Sequence, residues 1–193
     1  KAGALGRLAD VGFKNIVLYN PHGWAFNMND ISAIKKKVYA LIEKVLSYKT
    51  DMIIAISAWE KESAAKYKIC CSDKIHIIPS GVDVCLYDEK QGRYDLNRSK
   101  LNIPVDAYVI GMVGRISYGK GPDLFVKAAA LIKNKIPNAF FVIVGEGEER
   151  SSIENLLSEM GLKEDFLITG WVSNPMEYIQ LFDQAMLLTR WEG

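Results

Sequence analysis

The sequence predicts an α/β protein whose strands run parallel, and three observations carry that expectation. Short apolar runs rich in Val, Ile and Phe alternate with longer amphipathic stretches along the whole 193-residue chain, the pattern of successive βαβ units. The junctions carry matching punctuation: Ser57 and Pro122 stand where helices should begin, Gly12 and Gly114 where a helix and a strand should end. A composition of 49% hydrophobic and 24% charged residues supplies a core under a polar exterior. Right-handed crossovers then place the loops that leave the strand carboxyl ends along one edge of each sheet, where sites in such folds lie.

Taken in order, residues 1–12 read as a helix, with Ala4, Leu5, Leu8 and Val11 at helical spacing, and 15–19 read as a strand. Asn20-Pro21-His22-Gly23 breaks it into a loop carrying Trp24 and Phe26. Asp30 or Ser32 caps a long helix in which Ile34, Val38, Leu41, Ile42, Val45 and Leu46 share one face, expected to pack on the core. Lys35, Lys36, Lys37 and Lys44 fall mostly elsewhere on it. A strand at 52–56, a helix from the Ser57 cap to about Lys68 and a strand at 75–78 follow. Pro79-Ser80-Gly81-Val82-Asp83 then breaks the chain, dividing it into 1–82 and 83–193. Beyond the break the alternation resumes: strand 108–113, helix 122–135, strand 139–144, helix 148–160, strand 166–169, helix 174–182, strand 185–188.

The strongest chemical signal lies in 108–127. Gly114 ends a strand, Arg115 follows at once, and Gly119-Lys120-Gly121 turns the chain into a helix opening with Pro122. Proline's missing N–H would be unpaired at that position anyway. Two cations thus flank a glycine-bearing turn at a helix N-terminus, where unpaired amides and the positive dipole end favour an anion, a phosphate above all. The plainer reading makes Arg115 and Lys120 solvated loop charges. Gly145-Glu146-Gly147-Glu148-Glu149-Arg150 imitates a dinucleotide turn, yet it lacks the third glycine and sets three carboxylates where a pyrophosphate would rest, which argues against NAD. It reads better as a short βα turn with acids on a helix N-terminus. His22 reads first as a hydrogen-bonded structural residue. Lys35-Lys36-Lys37 could touch an anionic membrane, but weighs more as the solvated side of its helix.

Several classes are excluded. A net charge of +1 removes nucleic acid as a bulk electrostatic partner. Cys70, Cys71 and Cys85 form no C-x-x-C, and with two histidines in the chain they leave no zinc site. Their odd number argues against a disulfide framework and for reduced thiols in a cytosolic setting, Cys70-Cys71 reading as buried small residues or idle thiols. No apolar run approaches the length of about 18 residues that spanning a membrane takes. No stretch here reads as a signal peptide, and a chain that opens on Lys1 rather than methionine is expected to lack its true N-terminus.

Five stretches occur in a fixed order: Lys1-Ala-Gly-Ala-Leu-Gly-Arg7 with Tyr19-Asn-Pro-His-Gly-Trp-Ala-Phe26; Ile78-Pro-Ser-Gly-Val-Asp83; Val113-Gly-Arg-Ile-Ser-Tyr-Gly-Lys-Gly121; Ile143-Val-Gly-Glu-Gly147 with Ile168-Thr-Gly-Trp-Val172; and Thr189-Arg-Trp-Glu-Gly193. In this order the chain resembles the family-4 glycosyltransferases, retaining enzymes of the GT-B fold, and within them the exopolysaccharide and capsule branch. The resemblance implies two Rossmann-like lobes with parallel sheets, 1–82 belonging to the acceptor-side lobe and 83–193 to the nucleotide-sugar donor lobe. It also implies an internal piece of a longer enzyme, weak or inactive alone. The second glutamate of E-x(7)-E would follow Gly193, and the first strand and a glycine-rich loop would precede Lys1. Ser80 stands where the family usually has Asn.

By the same resemblance, Arg115 and Lys120 would hold the donor diphosphate, and His22 would lie beside the transferred sugar. Glu192 would contact that sugar's hydroxyls, and the Trp171–Val172 backbone would face the base. Gly114, Gly145, Glu146 and Gly147 would border the donor. The implied reaction is hexosyl transfer, without metal or other cofactor, from a nucleoside-diphosphate sugar, UDP being favoured. The acceptor is a sugar or lipid-linked hydroxyl in polysaccharide or glycoconjugate synthesis, and the setting is the cytoplasm, with a peripheral contact at the inner membrane face. A non-catalytic nucleotide-sugar binding module and a nucleotide-sugar epimerase of the same fold are the alternatives.

Overall fold

Six consecutive apolar residues, Ala-Phe-Phe-Val-Ile-Val, form a strand at Ala139–Val144 that is buried at every position. Successive side chains of a strand point to opposite faces, so such a run can be satisfied only between two cores. The computed structural model, which describes residues 2–10, 12, 14–82 and 94–191, shows that arrangement. Phe141 and Ile143 face one core with Ile110, Met112, Phe125 and Ile153, and Phe140, Val142 and Val144 face another with Ile103, Ala107 and Val109. Edge-to-face packing of Phe125 on Phe141 at 5.9 Å and stacking of Phe141 on Phe166 at 4.9 Å fix the first.

The described residues form two compact units, the boundary falling after Val82 and the second unit running to Arg190. The first holds α1 (Ala2–Ala9), β1 (Leu18–Tyr19), α2 (Ala33–Ser47), β2 (Met52–Ala55), α3 (Ala58–Lys66) and β3 (Ile75–Ile77), with the parallel sheet order β1-β2-β3. The second holds β4 (Tyr108–Val113), α4 (Pro122–Lys133), β5 (Ala139–Val144), α5 (Arg150–Glu159), β6 (Phe166–Ile168), α6 (Met176–Ile179) and β7 (Gln184–Ala185), with the parallel order β6-β5-β4-β7. The alternation of strand and helix, the parallel sheets and the Ser57 and Pro122 helix starts are as expected.

Three expectations need correcting. The strand at 15–19 is shorter, because Val17 pairs with Asp51 through the Asp51 side chain and backbone instead of continuing the ladder. The strand expected at 185–188 ends at Ala185, where β7 pairs with Ile110 and Gly111. The third concerns α2. Of the six residues expected to pack inward, only Leu46 is buried, while Ile34 is 75% and Leu41 61% exposed. The inward side is instead that of Ala40, Leu46 and Ser47. Polar contacts turn it: Ser47 Oγ donates to Ile69 O, and Arg7 Nη2 donates to Glu43 Oε2 at 2.7 Å. Lys35 and Lys37 are exposed as expected. Cys70 is half-buried and Cys71, in the turn that follows the core residue Ile69, is exposed, both as free thiols, the second of the two readings given for them; Cys85 lies outside the described residues. Among the described residues no helix is long and apolar enough to cross a membrane.

Candidate functional site

In the second unit the carboxyl ends of β4, β5 and β6 lead into three loops that share one cavity of about 400 Å³. Its walls include Gly114 and Arg115 after β4, Gly145 and Glu146 after β5, and Trp171 and Val172 after β6. Parallel strands explain the convergence, since their carboxyl ends lie on the same side. Of the residues singled out in the sequence, these six come together; Gly147 follows immediately on the same loop.

The glycines make this closeness feasible. A Cβ on Gly145 would collide with the carbonyl oxygen of Gly114, and one on Gly147 with that of Ile116. Pairing continues beyond the strands, Gly114 N donating to Val144 O and Ile116 N to Glu146 O, each at 3.0 Å. What these glycines admit in the structure is the backbone of the neighbouring loop.

Two of the carboxylates of 145–150, Glu146 and Glu148, are held by arginines. Glu146 pairs with Arg150, which also holds Glu154 at 2.8 Å. The hydrogen bond from Arg150, then that from Gly147 N, keeps the Glu146 carboxyl below its ordinary pKa. Glu148 takes Nε and Nη2 of Arg115, both at 3.0 Å. That pair is open to water, with 69% of the Arg115 side chain exposed, so it contributes at most about 1 kcal/mol. A phosphate, which accepts charge-assisted bonds from both prongs of a guanidinium, can displace it.

Lys120 stands in the turn Tyr118–Lys120, and Gly121 opens α4 at φ +69°. Its side chain passes over Gly114: a Cβ there would lie 4.0 Å from Lys120 Cδ. Both cations therefore border the β4 loop. The first turn of α4 also carries Asp123, which accepts two bonds from Arg190. Neither residue was singled out in the sequence.

In the first unit His22 is exposed and sits at φ +47°, the left-handed region where non-glycine residues are uncommon. Its N–H donates to Asn20 Oδ1 at 3.2 Å. The loop is anchored by Glu60, fully buried, whose carboxylate accepts from Gly23 N at 2.6 Å and Ile56 N at 2.7 Å, while its carbonyl accepts from Trp24 Nε1. Glu60 is a residue that sequence reasoning missed; the signal was there, a Glu three positions after the Ser57 cap. Trp24 and Phe26, stacked at 5.2 Å, belong to the core beneath. Glu192 lies outside the described residues. Among the described residues no three His, Cys, Asp or Glu side chains gather where a metal ion could be held.

The family model for glycosyl transferases group 1 matches residues 94–193. A protein of Escherichia coli named UDP-Gal:alpha-D-GlcNAc-diphosphoundecaprenol alpha-1,3-galactosyltransferase is 32% identical over 100% of this chain, which covers 51% of that protein. The crystal structure of Anabaena HepE in complex with UDP and glucose superposes with a TM-score of 0.81 at 17% identity, over 97% of this chain and 50% of that one. WaaG, a glycosyltransferase involved in lipopolysaccharide biosynthesis, superposes with a TM-score of 0.69 at 16% identity, over 91% of this chain and 51% of its own. The two likenesses give the fold, that of GT-B glycosyltransferases. The chain spans about half the length of these relatives.

Proposed function

The chain belongs to the glycosyl transferases of group 1, and from that premise we propose that its polypeptide moves a sugar from a nucleoside-diphosphate sugar to a hydroxyl, with retention at the anomeric carbon. The observation that carries this is the single cavity joining Arg115 to Trp171 and Val172 at the strand carboxyl ends. The base lies against Trp171 and Val172, and the diphosphate against Arg115 and Lys120. UDP is the favoured nucleotide, supported by the name of the Escherichia coli relative and by the UDP found with HepE. The relative's name also supports a lipid-linked sugar hydroxyl as acceptor in glycan synthesis, which would bring the enzyme to the inner membrane face from the cytoplasm.

The reaction separates a cationic sugar from a departing diphosphate, so the charge growing on the leaving group must be met. Cations already standing beside the leaving group can meet that charge as it develops, and we assign this to Arg115 and Lys120 with no metal or other cofactor. His22 is assigned to the transferred sugar in the first lobe, 1–82, and Glu192 to that sugar's hydroxyls in the donor lobe, 83–193.

The test is Arg115→Ala in the full-length enzyme. Hydrogen bonds to charged groups contribute about 1.5–3 kcal/mol each, so kcat/KM for the UDP-sugar should fall about ten- to a hundredfold. An unchanged value overturns the assignment.

A further inference from the structure

We infer that Arg190 is a positioning residue that holds the Lys120 turn in its diphosphate-binding shape, an inference that rests on the assignment of Lys120 to the diphosphate. The turn 118–121 is short and glycine-rich, and Lys120 is a flexible point charge on a long stem. Such a cation is useful to a leaving group only if the backbone beneath it is fixed. Arg190 fixes it from several directions. Its Nη1 donates to Tyr118 O at 2.8 Å, and its backbone N–H donates to Gly119 O at 2.8 Å. Its guanidinium lies 4.1 Å from the centre of the Tyr118 ring. Nη1 and Nη2 grip both oxygens of Asp123 in the first turn of α4, at 2.8 and 2.7 Å.

One side chain therefore ties the residues before Lys120 to those after it. The residue directly after Lys120 leaves no slack either: Gly121 approaches Leu188 so closely that a Cβ would collide with the Leu188 carbonyl. Arg190 is 18% and Asp123 26% exposed, so this pair is better shielded from water than that of Arg115 with Glu148. The hydrogen bond from Arg190 also lowers the Asp123 carboxyl from its ordinary pKa, so the carboxylate keeps its charge to lower pH than an ordinary aspartate.

The test measures binding of UDP and of uridine to the full-length protein carrying Lys120→Ala, Arg190→Ala, or both. Lys120→Ala should weaken UDP and leave uridine unchanged. Arg190→Ala should weaken UDP about tenfold, within the coupling range of residues that share a network, and leave uridine unchanged. In the Lys120→Ala background it should add less than about twofold. Arg190→Lys should fail to restore UDP affinity, since an ammonium cannot span both Asp123 oxygens. Asp123→Asn, which keeps the shape, should reproduce the loss and guards against a variant that fails to fold. An unchanged UDP affinity in Lys120→Ala overturns the diphosphate assignment and this inference with it. A weakened Lys120→Ala beside an Arg190→Ala at parental affinity overturns the positioning role alone. So does an equal loss of UDP and uridine, or losses that multiply in the double variant.

Discussion

At the scale of single residues, the site is a set of charges already in use. Arg115 meets the solvent with Glu148 on it, and a donor must compete with that carboxylate. Glu148→Gln removes the competitor, and with it a negative charge beside the position proposed for the diphosphate, while leaving the fold alone. UDP should then bind about two- to fivefold more tightly, the span set by an exposed pair of up to ~1 kcal/mol. Calorimetric titration at low and high salt checks it, because screening should shrink the gain. That Arg115 and Lys120 border the β4 loop was legible from spacing, since a cation directly after a strand and another before a proline helix start are local facts. Arg190 was not legible. Its partner Asp123 is 67 positions away, and no periodicity joins them. Glu60 sits between: its capping position was visible, but its grip on Gly23, 37 positions away, depends on the folded chain.

At the scale of elements, strand ends and helix faces behave differently. Strands were legible where burial on both faces leaves no choice, as in β5. The helix α2 carries apolar residues on two sides, so its pattern could not say which side faces inward. Arg7, Glu43 and Ser47 decide it through partners far along the chain. Where β4 and β5 end, the loops touch backbone to backbone. Gly145→Ala should force them apart, since nothing flexible lies between its new Cβ and Gly114 O. A backbone clash of this kind belongs with the overpacking changes that cost about 1–3 kcal/mol. Thermal unfolding should show a Tm lower by several degrees, and UDP should bind more weakly; a parental value for both would refute the close-approach reading.

At the scale of the whole molecule, the two units differ in how thoroughly they enclose their sheets. The second unit's sheet lies between two cores, whereas among the described residues one buried cluster serves the first unit. Opening free energies follow burial. Amide hydrogen exchange should therefore be slowest across 109–113 and 140–144 and faster throughout α1 and α2; equal protection in both units would contradict it. The backbone at position 22 has a bearing on all such measures of endurance. A left-handed torsion costs an L-residue roughly 1–2 kcal/mol that glycine escapes, so glycine there makes a hardier protein. Laboratory evolution that rewards survival on heating will drift toward that exchange, and its winners will have surrendered the imidazole that the proposed function sets beside the sugar.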